Sequence, residues 1–300
     1  MNIVLALNFK KLVAIGWLFA LAYSNPLWAA APLQIFVSVV PQKYFAEKIG
    51  GDQVKVESMV QPGFSPETYE PTAQQISALS KAQLYVRVGM PFEDAWMKRI
   101  QGVNPTILLV DARDGVKLRS LEAHSHAGHE GHAEPQGSAP DPHLWVSPRI
   151  AKQMAKQLAD TFSKLRPEQS EQFNKNYTNF ATELDQLDQE LIELFKDKQN
   201  LKFMVFHPAW GYLADAYGLQ QIPIEVEGKE PGAKALAALI DEAKHAQVKT
   251  IFVQPQFSQR AAEQVAKAIG GHVISIDNLA EDYIPNLRKA ARLIAGVERE

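Results

Sequence analysis

The sequence predicts an α/β fold with two lobes, each built on a parallel sheet, joined by one long rigid backbone helix. Short runs of β-branched and apolar residues alternate with helical patterns in the first half of the chain, and again in the second half. Strands that alternate with helices are typical of parallel sheets. The alternation stops in the middle, where a long stretch without glycine follows Pro167. The repeat predicts the two lobes, and the central stretch predicts the helix between them.

The predicted strands form two groups of four. In order along the chain they are residues 35–40, 54–60, 84–88 and 106–110, then 202–206, 222–226, 250–253 and 272–276. Helical patterns lie between them at residues 42–49, 72–80, 93–100, 234–245 and 258–268. We therefore expect an N-terminal lobe over residues 32–148, a helical linker over 149–198 and a C-terminal lobe over 199–300.

The central helix is predicted over residues 167–197, where apolar side chains recur at alternating spacings of four and three. This spacing marks one face of a helix. The members of this stripe are Phe173, Tyr177, Phe180, Leu184, Leu187, Leu191 and Leu194. Pro167 suits a first helical turn. The stripe fits either a coiled-coil dimer or a strut laid across both lobes. We favour the strut, because the lobes flank the helix in sequence.

Residues 1–31 are predicted to be a secretory signal peptide. Lys10 and Lys11 precede an uncharged apolar stretch over residues 12–23, and small residues follow at 29–31. This layout is typical of a cleaved export signal, and the apolar stretch is too short to span a membrane. The chain has no cysteine that could carry a lipid. We therefore expect an exported protein that is retained in the periplasm without a lipid anchor.

The composition excludes several classes of protein. The 300 residues are 46% hydrophobic and 22% charged and include no cysteine. These values exclude a disordered chain, a disulfide scaffold and a cysteine-ligated metal domain. The net charge is −3, and the lysines and arginines are spread along the chain. A nucleic-acid partner is not expected, because such partners require a concentrated basic surface.

A loop over residues 121–134 holds four of the eight histidines of the chain. These four are His124, His126, His129 and His132. The segment has no helical or strand period, and glycines and prolines interrupt it and the residues that follow, so it predicts a mobile loop. Clustered imidazoles in such a loop predict weak, secondary metal capture.

Three further residues are candidates for a tighter metal site. His207 follows the predicted strand 202–206, and Asp277 follows the strand 272–276. Side chains at the carboxyl ends of parallel strands face the crevice where α/β sheets bind ligands. His143 lies in the segment 141–148, which is rich in proline and apolar residues. Imidazole and carboxylate groups bind zinc, and they bind manganese or iron where oxygen ligands dominate. Any one of these residues alone could be structural.

The motifs of the chain resemble those of one known family. They lie at residues 62–71, 141–148, 206–212, 214–219, 251–258 and 276–277. Over nearly all of the mature sequence they resemble the metal-binding cluster of ABC-transporter solute-binding proteins, which are receptors for zinc and manganese uptake. The loop 121–134 is similar to the histidine-rich loop of the zinc members.

The resemblance implies four metal ligands in a cleft between the lobes. His143, His207 and Asp277 match three of the ligand positions of the family. Glu67 stands where zinc members usually have a histidine. Glu67 can close a tetrahedral zinc site with the other three, or it can stand off the metal and leave its place to water. The loop favours Zn²⁺, and the two carboxylates keep Mn²⁺ or Fe²⁺ open.

The function that the resemblance implies is a periplasmic receptor rather than an enzyme. Such a receptor binds a divalent metal ion, delivers it to the membrane permease of an ABC transporter, and is expected to act as a monomer. A zinc-dependent hydrolase is the second hypothesis, because a three-ligand site with water has that form. The chain has no His-Glu-x-x-His segment to support it. A surface adhesin is the third hypothesis.

Overall fold

The N-terminal half is built around a four-stranded parallel sheet. The computed structural model describes residues 31–121, 139–225 and 229–297. The first elements in chain order are β1 (Leu33–Val37), α1 (Val40–Gly50), β2 (Val54–Ser58), α2 (Ala73–Leu79), β3 (Leu84–Arg87), α3 (Pro91–Val103) and β4 (Leu108–Asp111). The sheet order is β2-β1-β3-β4, and every pairing is parallel.

The second half of the chain repeats this arrangement. Two helices come first, α4 (Pro148–Leu165) and α5 (Ser170–Phe195). The remaining elements are β5 (Lys202–Val205), α6 (Gly211–Tyr217), β6 (Gln220–Pro223), α7 (Ala233–His245), β7 (Thr250–Val253), α8 (Arg260–Ile269), β8 (His272–Ser275) and α9 (Tyr283–Ile294). The second sheet has the order β6-β5-β7-β8 and is also parallel. The predicted fold class, with two α/β lobes, is confirmed.

Six of the eight strands observed in the described part of the chain end earlier than the apolar runs suggested, and the first strand shows why. Residues 35–40 were expected to be extended, but β1 ends at Val37. The backbone amides of Ser38 and Val39 donate hydrogen bonds to the side-chain oxygen of Gln42, at 3.0 and 3.2 Å. Gln42 lies in the first turn of α1. The side chain therefore turns the chain out of the sheet and into the helix.

The long helix is present and lies against elements of both halves. Its regular α-helical part begins at Ser170, because Pro167–Gln169, which follows the end of α4 at Leu165, forms a short 3-10 turn. The 26 residues of α5 span roughly 39 Å at 1.5 Å per residue. The helix packs against α1, α4, α6 and α9. Its apolar stripe is therefore covered within the chain, as a strut requires, and needs no coiled-coil partner.

Phe180 is a buried residue of this strut whose removal should lower the stability of the protein strongly. Its side chain is 1% exposed and contacts the rings of Phe45 and Tyr44, with centroids 5.7 and 5.8 Å away. Phe180→Ala is expected to lower the free energy of unfolding by about 3–5 kcal/mol, because it leaves a cavity between α1 and α5. Denaturant unfolding measures this loss. The matched control is Ile192→Ala on the same helix, where the side chain is 40% exposed and the expected change is within about 0.5 kcal/mol.

Two hydrogen bonds tie the segment after His143 to the segment after Asp277. The indole nitrogen of Trp145 donates to the carbonyl oxygen of Asn278 at 2.6 Å. The hydroxyl of Tyr283 donates to the carbonyl oxygen of Trp145, also at 2.6 Å. Both aromatic side chains are buried in an apolar core that is continuous between the two sheets. Among the described residues, no helix has the length and apolar character that crossing a membrane requires.

Candidate metal centre

Three of the predicted ligands come together from distant parts of the chain. Glu67 lies in the loop between β2 and α2, His143 precedes a short 3-10 turn at Leu144–Val146, and His207 follows β5. The Nε2 atoms of His143 and His207 are 3.2 Å apart. Oε1 of Glu67 lies 3.2 Å from Nε2 of His207 and 3.7 Å from Nε2 of His143. Among the described residues, these three form the group whose ligand atoms all lie within 4.8 Å of one another.

The spacing of these atoms fits one face of a tetrahedral site. Ligand distances of about 2.0–2.1 Å, as for zinc, place neighbouring ligands of a tetrahedron about 3.4 Å apart. The three observed separations, 3.2, 3.2 and 3.7 Å, surround that value. A tetrahedral ion therefore fits these three atoms with small adjustments.

The sheet register explains how His207 is held. The parallel pairing of Val205 with Pro223 and with Phe252, continued by two residues, places Glu225 and Gln254 on either side of His207. Nδ1 of His207 lies 2.8 Å from a carboxylate oxygen of Glu225. The side chain of Gln254 accepts a hydrogen bond from the His207 amide at 3.3 Å and donates one to its carbonyl oxygen at 2.8 Å. The ring of Phe257 stacks on the imidazole at 4.8 Å.

His143 is held by an equivalent carboxylate. Its Nδ1 lies 2.8 Å from Oδ1 of Asp141, and its backbone amide donates to the same oxygen at 3.0 Å. Arg119 donates to Oδ2 of Asp141 at 2.9 Å and to Asp215 at 2.9 Å. A carboxylate that accepts the Nδ1 proton fixes the tautomer and leaves Nε2 as the electron-pair donor, which is the usual support for a metal-binding histidine.

The neighbouring carboxylates raise the pKa of both imidazoles in the metal-free protein. Burial alone would lower the pKa of His207, but hydrogen bonds to Glu225 and Glu67 outweigh it and raise the pKa to about 10. Burial likewise opposes the charged form of His143, and its contacts with Asp141 and Glu67 raise its pKa above the usual value. Burial would raise the pKa of Glu67, but the two imidazoles hold it well below its ordinary range. The site therefore has a strong preference for positive charge between these groups.

Glu67 is the most accessible of the three. Its side chain is 23% exposed, whereas the side chains of His143 and His207 are 3% and 4% exposed. Its support is local: the hydroxyl of Ser65 donates to Oε2 at 2.6 Å. Glu67 therefore closes the outer side of a site whose inner side is two buried imidazoles.

Asp277 lies near this group but is not part of it. It follows β8, which is separated from β5 by β7, so the two strand ends lie about 10 Å apart. Its Oδ1 accepts hydrogen bonds from the Leu279 amide at 2.8 Å and from the Gln256 side chain at 3.1 Å. The structure therefore brings together three of the four ligands that the resemblance implied.

Asp141 and Glu225 were not singled out from the sequence, although both have signals there. Asp141 stands two residues before His143, and Glu225 lies within the predicted strand 222–226. Both carboxylates are buried, and one oxygen of Glu225, Oε2, has no hydrogen-bond partner in the described part of the chain. The four histidines of the predicted loop, His124, His126, His129 and His132, lie outside the described residues.

Known proteins are similar to this chain in sequence and in fold. The family model described as "Zinc-uptake complex component A periplasmic" matches residues 35–297. The chain is 28% identical to the high-affinity zinc uptake system protein ZnuA of Bacillus subtilis, over 82% of this chain and 78% of that protein. It is also 28% identical to the zinc-binding lipoprotein AdcA of Streptococcus pneumoniae, over 84% of this chain.

The match to AdcA spans only about half of that relative, 51% of its length. A crystal structure of ZnuA superposes with a TM-score of 0.80 and 39% sequence identity, covering 88% of this chain and 98% of the other. The family match extends over most of the chain, including all three clustered ligands. The chain therefore belongs to the zinc-uptake complex component A family, whose members are extracytoplasmic solute-binding proteins.

Proposed function

We propose that this protein is the periplasmic receptor of a zinc ABC transporter. It captures Zn²⁺ in a cleft between its lobes and delivers the ion to the membrane permease, and it catalyses no reaction. The observation that carries the proposal is the pair of buried imidazoles with Nε2 atoms 3.2 Å apart, next to a carboxylate oxygen of Glu67. The names of the zinc-uptake and zinc-binding relatives support the choice of metal.

A cation between the imidazoles explains why they face each other. With each Nδ1 proton directed at a carboxylate, both Nε2 atoms present lone pairs to the same space. Two lone pairs at this distance repel each other unless a proton or a metal ion lies between them. A divalent ion also balances the negative charges of Glu67 and Glu225, which are partly or fully buried. Imidazole nitrogen and carboxylate oxygen are both ordinary ligands of zinc.

Asp277 is proposed as the fourth ligand. Only its Oδ1 takes hydrogen bonds from the described residues, which leaves Oδ2 for a metal. The hydrogen bond between Trp145 and Asn278 holds the neighbouring residue against the His143 segment. An approach of this loop that brings Oδ2 to the ion completes a tetrahedral site of two imidazoles and two carboxylates. Because zinc stands above manganese and iron in general affinity, this set favours Zn²⁺, with Mn²⁺ or Fe²⁺ as the alternative cargo.

Removing the Glu67 carboxylate tests the site. In the metal-stripped protein we expect one tight zinc per chain, and Glu67→Ala is expected to weaken it by about 10- to 100-fold, because water replaces a charged ligand. Competition with a chelating dye measures the affinity, with manganese and iron titrated in parallel. Glu70→Ala is the matched control, since Glu70 is exposed on the same loop.

Two outcomes of this titration would change the proposal. Unchanged zinc affinity in Glu67→Ala would mean that Glu67 is not a ligand. A preference for manganese or iron in the unmodified protein would mean that the two carboxylates decide the cargo.

The histidine-rich loop at residues 121–134 is proposed as a weaker, secondary zinc site, on the basis of its composition alone. The receptor is proposed to act as a monomer.

A further inference from the structure

The two oxygens of the Glu67 carboxylate have different surroundings. Oε1 faces the imidazoles, at 3.2 Å from Nε2 of His207. Oε2 accepts a hydrogen bond of 2.6 Å from the hydroxyl of Ser65. The amide of Glu67 in turn donates to the same hydroxyl at 3.3 Å. Ser65 therefore contacts both the backbone and the side chain of Glu67.

This small turn is preorganised by the residue between the two. Pro66 is buried, and its ring fixes its own backbone angle φ, which limits the conformation of the chain between Ser65 and Glu67. Serine hydroxyls that bond the backbone two residues further on form a recognised turn. The loop from β2 to α2 has no strand or helix at this point. The direction of the Glu67 carboxylate therefore depends on this contact with Ser65.

The contact decides how many oxygens Glu67 can offer to a metal. Zinc in a four-coordinate site takes one oxygen from a carboxylate. Ions that prefer six or more oxygen-rich ligands, such as Mn²⁺ and Ca²⁺, gain from a carboxylate that binds through both oxygens. A carboxylate whose Oε2 accepts a hydrogen bond from Ser65 while its Oε1 faces the imidazoles favours binding through Oε1 alone.

We infer that Ser65 is a positioning residue that contributes to the selectivity of the site, because it favours Glu67 as a one-oxygen ligand and so disfavours ions of higher coordination number. The inference rests on the proposed function, since it requires Glu67 to bind the metal. Ser65 would act on the metal through Glu67, without contacting the ion itself. Loss of the hydroxyl should relax selectivity more than it weakens zinc binding.

The test compares Ser65→Ala and Ser65→Thr with the unmodified protein. Zinc and manganese affinities are measured by chelator competition, and the visible absorption of bound Co²⁺ reports the coordination number. In Ser65→Ala we expect the manganese-to-zinc affinity ratio to rise by about 10-fold, within the range of effects of outer ligand contacts. We also expect weaker cobalt bands, since tetrahedral cobalt absorbs more strongly than six-coordinate cobalt. Ser65→Thr keeps the hydroxyl and should restore both readouts.

The control is Ser80→Ala, whose exposed hydroxyl donates to the carbonyl oxygen of Ser77 at the end of α2. An unchanged ratio and cobalt spectrum in Ser65→Ala would overturn the inference. An equal loss of affinity for both metals without a spectral change would also overturn it, since Ser65 would then only shape the loop. Failure of the unmodified protein to bind zinc would instead refute the proposed function, so the two failures can be told apart.

Discussion

Replacing His207 with alanine is expected to lower the zinc affinity by about 100- to 1,000-fold. Structural zinc sites gain roughly 10–16 kcal/mol from about four ligands. Loss of one ligand therefore costs about 2.5–4 kcal/mol, and each 1.4 kcal/mol is a tenfold change in affinity. Water cannot restore the site easily, because the side chain of His207 is only 4% exposed. The variant also leaves the Glu225 carboxylate buried without the imidazole that it contacts.

His245→Ala is the matched control for this measurement. His245 lies at the end of α7 on the exposed surface, where its ring contacts the carbonyl oxygen of Asp241. Its removal should leave the affinity unchanged. Circular dichroism of both metal-free variants checks that each is folded. A His207→Ala protein that is folded and binds zinc as tightly as the unmodified chain would refute the proposed metal centre.

The zinc affinity is also expected to depend steeply on pH. The metal-free protein holds a proton at His207 up to a pKa of about 10, and zinc must displace it, because only neutral imidazole binds metal. Each pH unit below that pKa costs about tenfold in affinity per displaced proton. We therefore expect a fall of at least about 100-fold between pH 8 and pH 6, with at least one proton released per zinc bound at pH 7. Calorimetry in buffers of different ionisation enthalpy counts these protons.

As the pH rises, the zinc affinity should increase, whereas the stability of the metal-free protein should decrease. A folded-state pKa raised from 6.5 to about 10 stabilises the fold below pH 6.5, and this contribution is lost as the pH rises toward 10. Glu225→Gln is the diagnostic variant, since it removes the charge that raises the pKa and keeps an acceptor oxygen. It should move the loss of zinc affinity to lower pH. Affinity that is independent of pH between 6 and 8 would show that the imidazoles are not protonated in the metal-free state.

The fold class was predictable because its signals are local. Parallel strands that are buried on both faces are short apolar runs, and β1, β3, β5 and β7 all have this character. The boundaries were less predictable. The chain leaves β1 after Val37 because the side chain of Gln42 accepts hydrogen bonds from the next two backbone amides. The spacing of apolar residues in the sequence does not predict such hydrogen bonds.

The site was predictable only in part, for a physical reason that concerns strand pairing. His207 and Asp277 could be recognised because each follows an apolar strand run. The role of Glu225 depends on β6 pairing with β5 in the register that sets it beside His207. The residues of the two strands do not by themselves reveal which strand pairs with which. Asp277 stands outside the cluster because β7 lies between its strand and β5. The contact of Ser65 with Glu67 is local in sequence. Its bearing on metal binding could not be predicted, because it depends on Oε1 facing the two imidazoles from distant parts of the chain.

The most direct measurement is a crystal structure of the zinc-loaded protein with anomalous diffraction recorded on both sides of the zinc absorption edge. We expect one strong anomalous peak bonded to Nε2 of His143, Nε2 of His207 and Oε1 of Glu67, at about 2.0–2.2 Å. An Asp277 oxygen should complete the tetrahedron, and Oε2 of Glu67 should remain on the Ser65 hydroxyl. A zinc ion bound elsewhere, or no peak at these two imidazoles, would contradict the proposed metal centre.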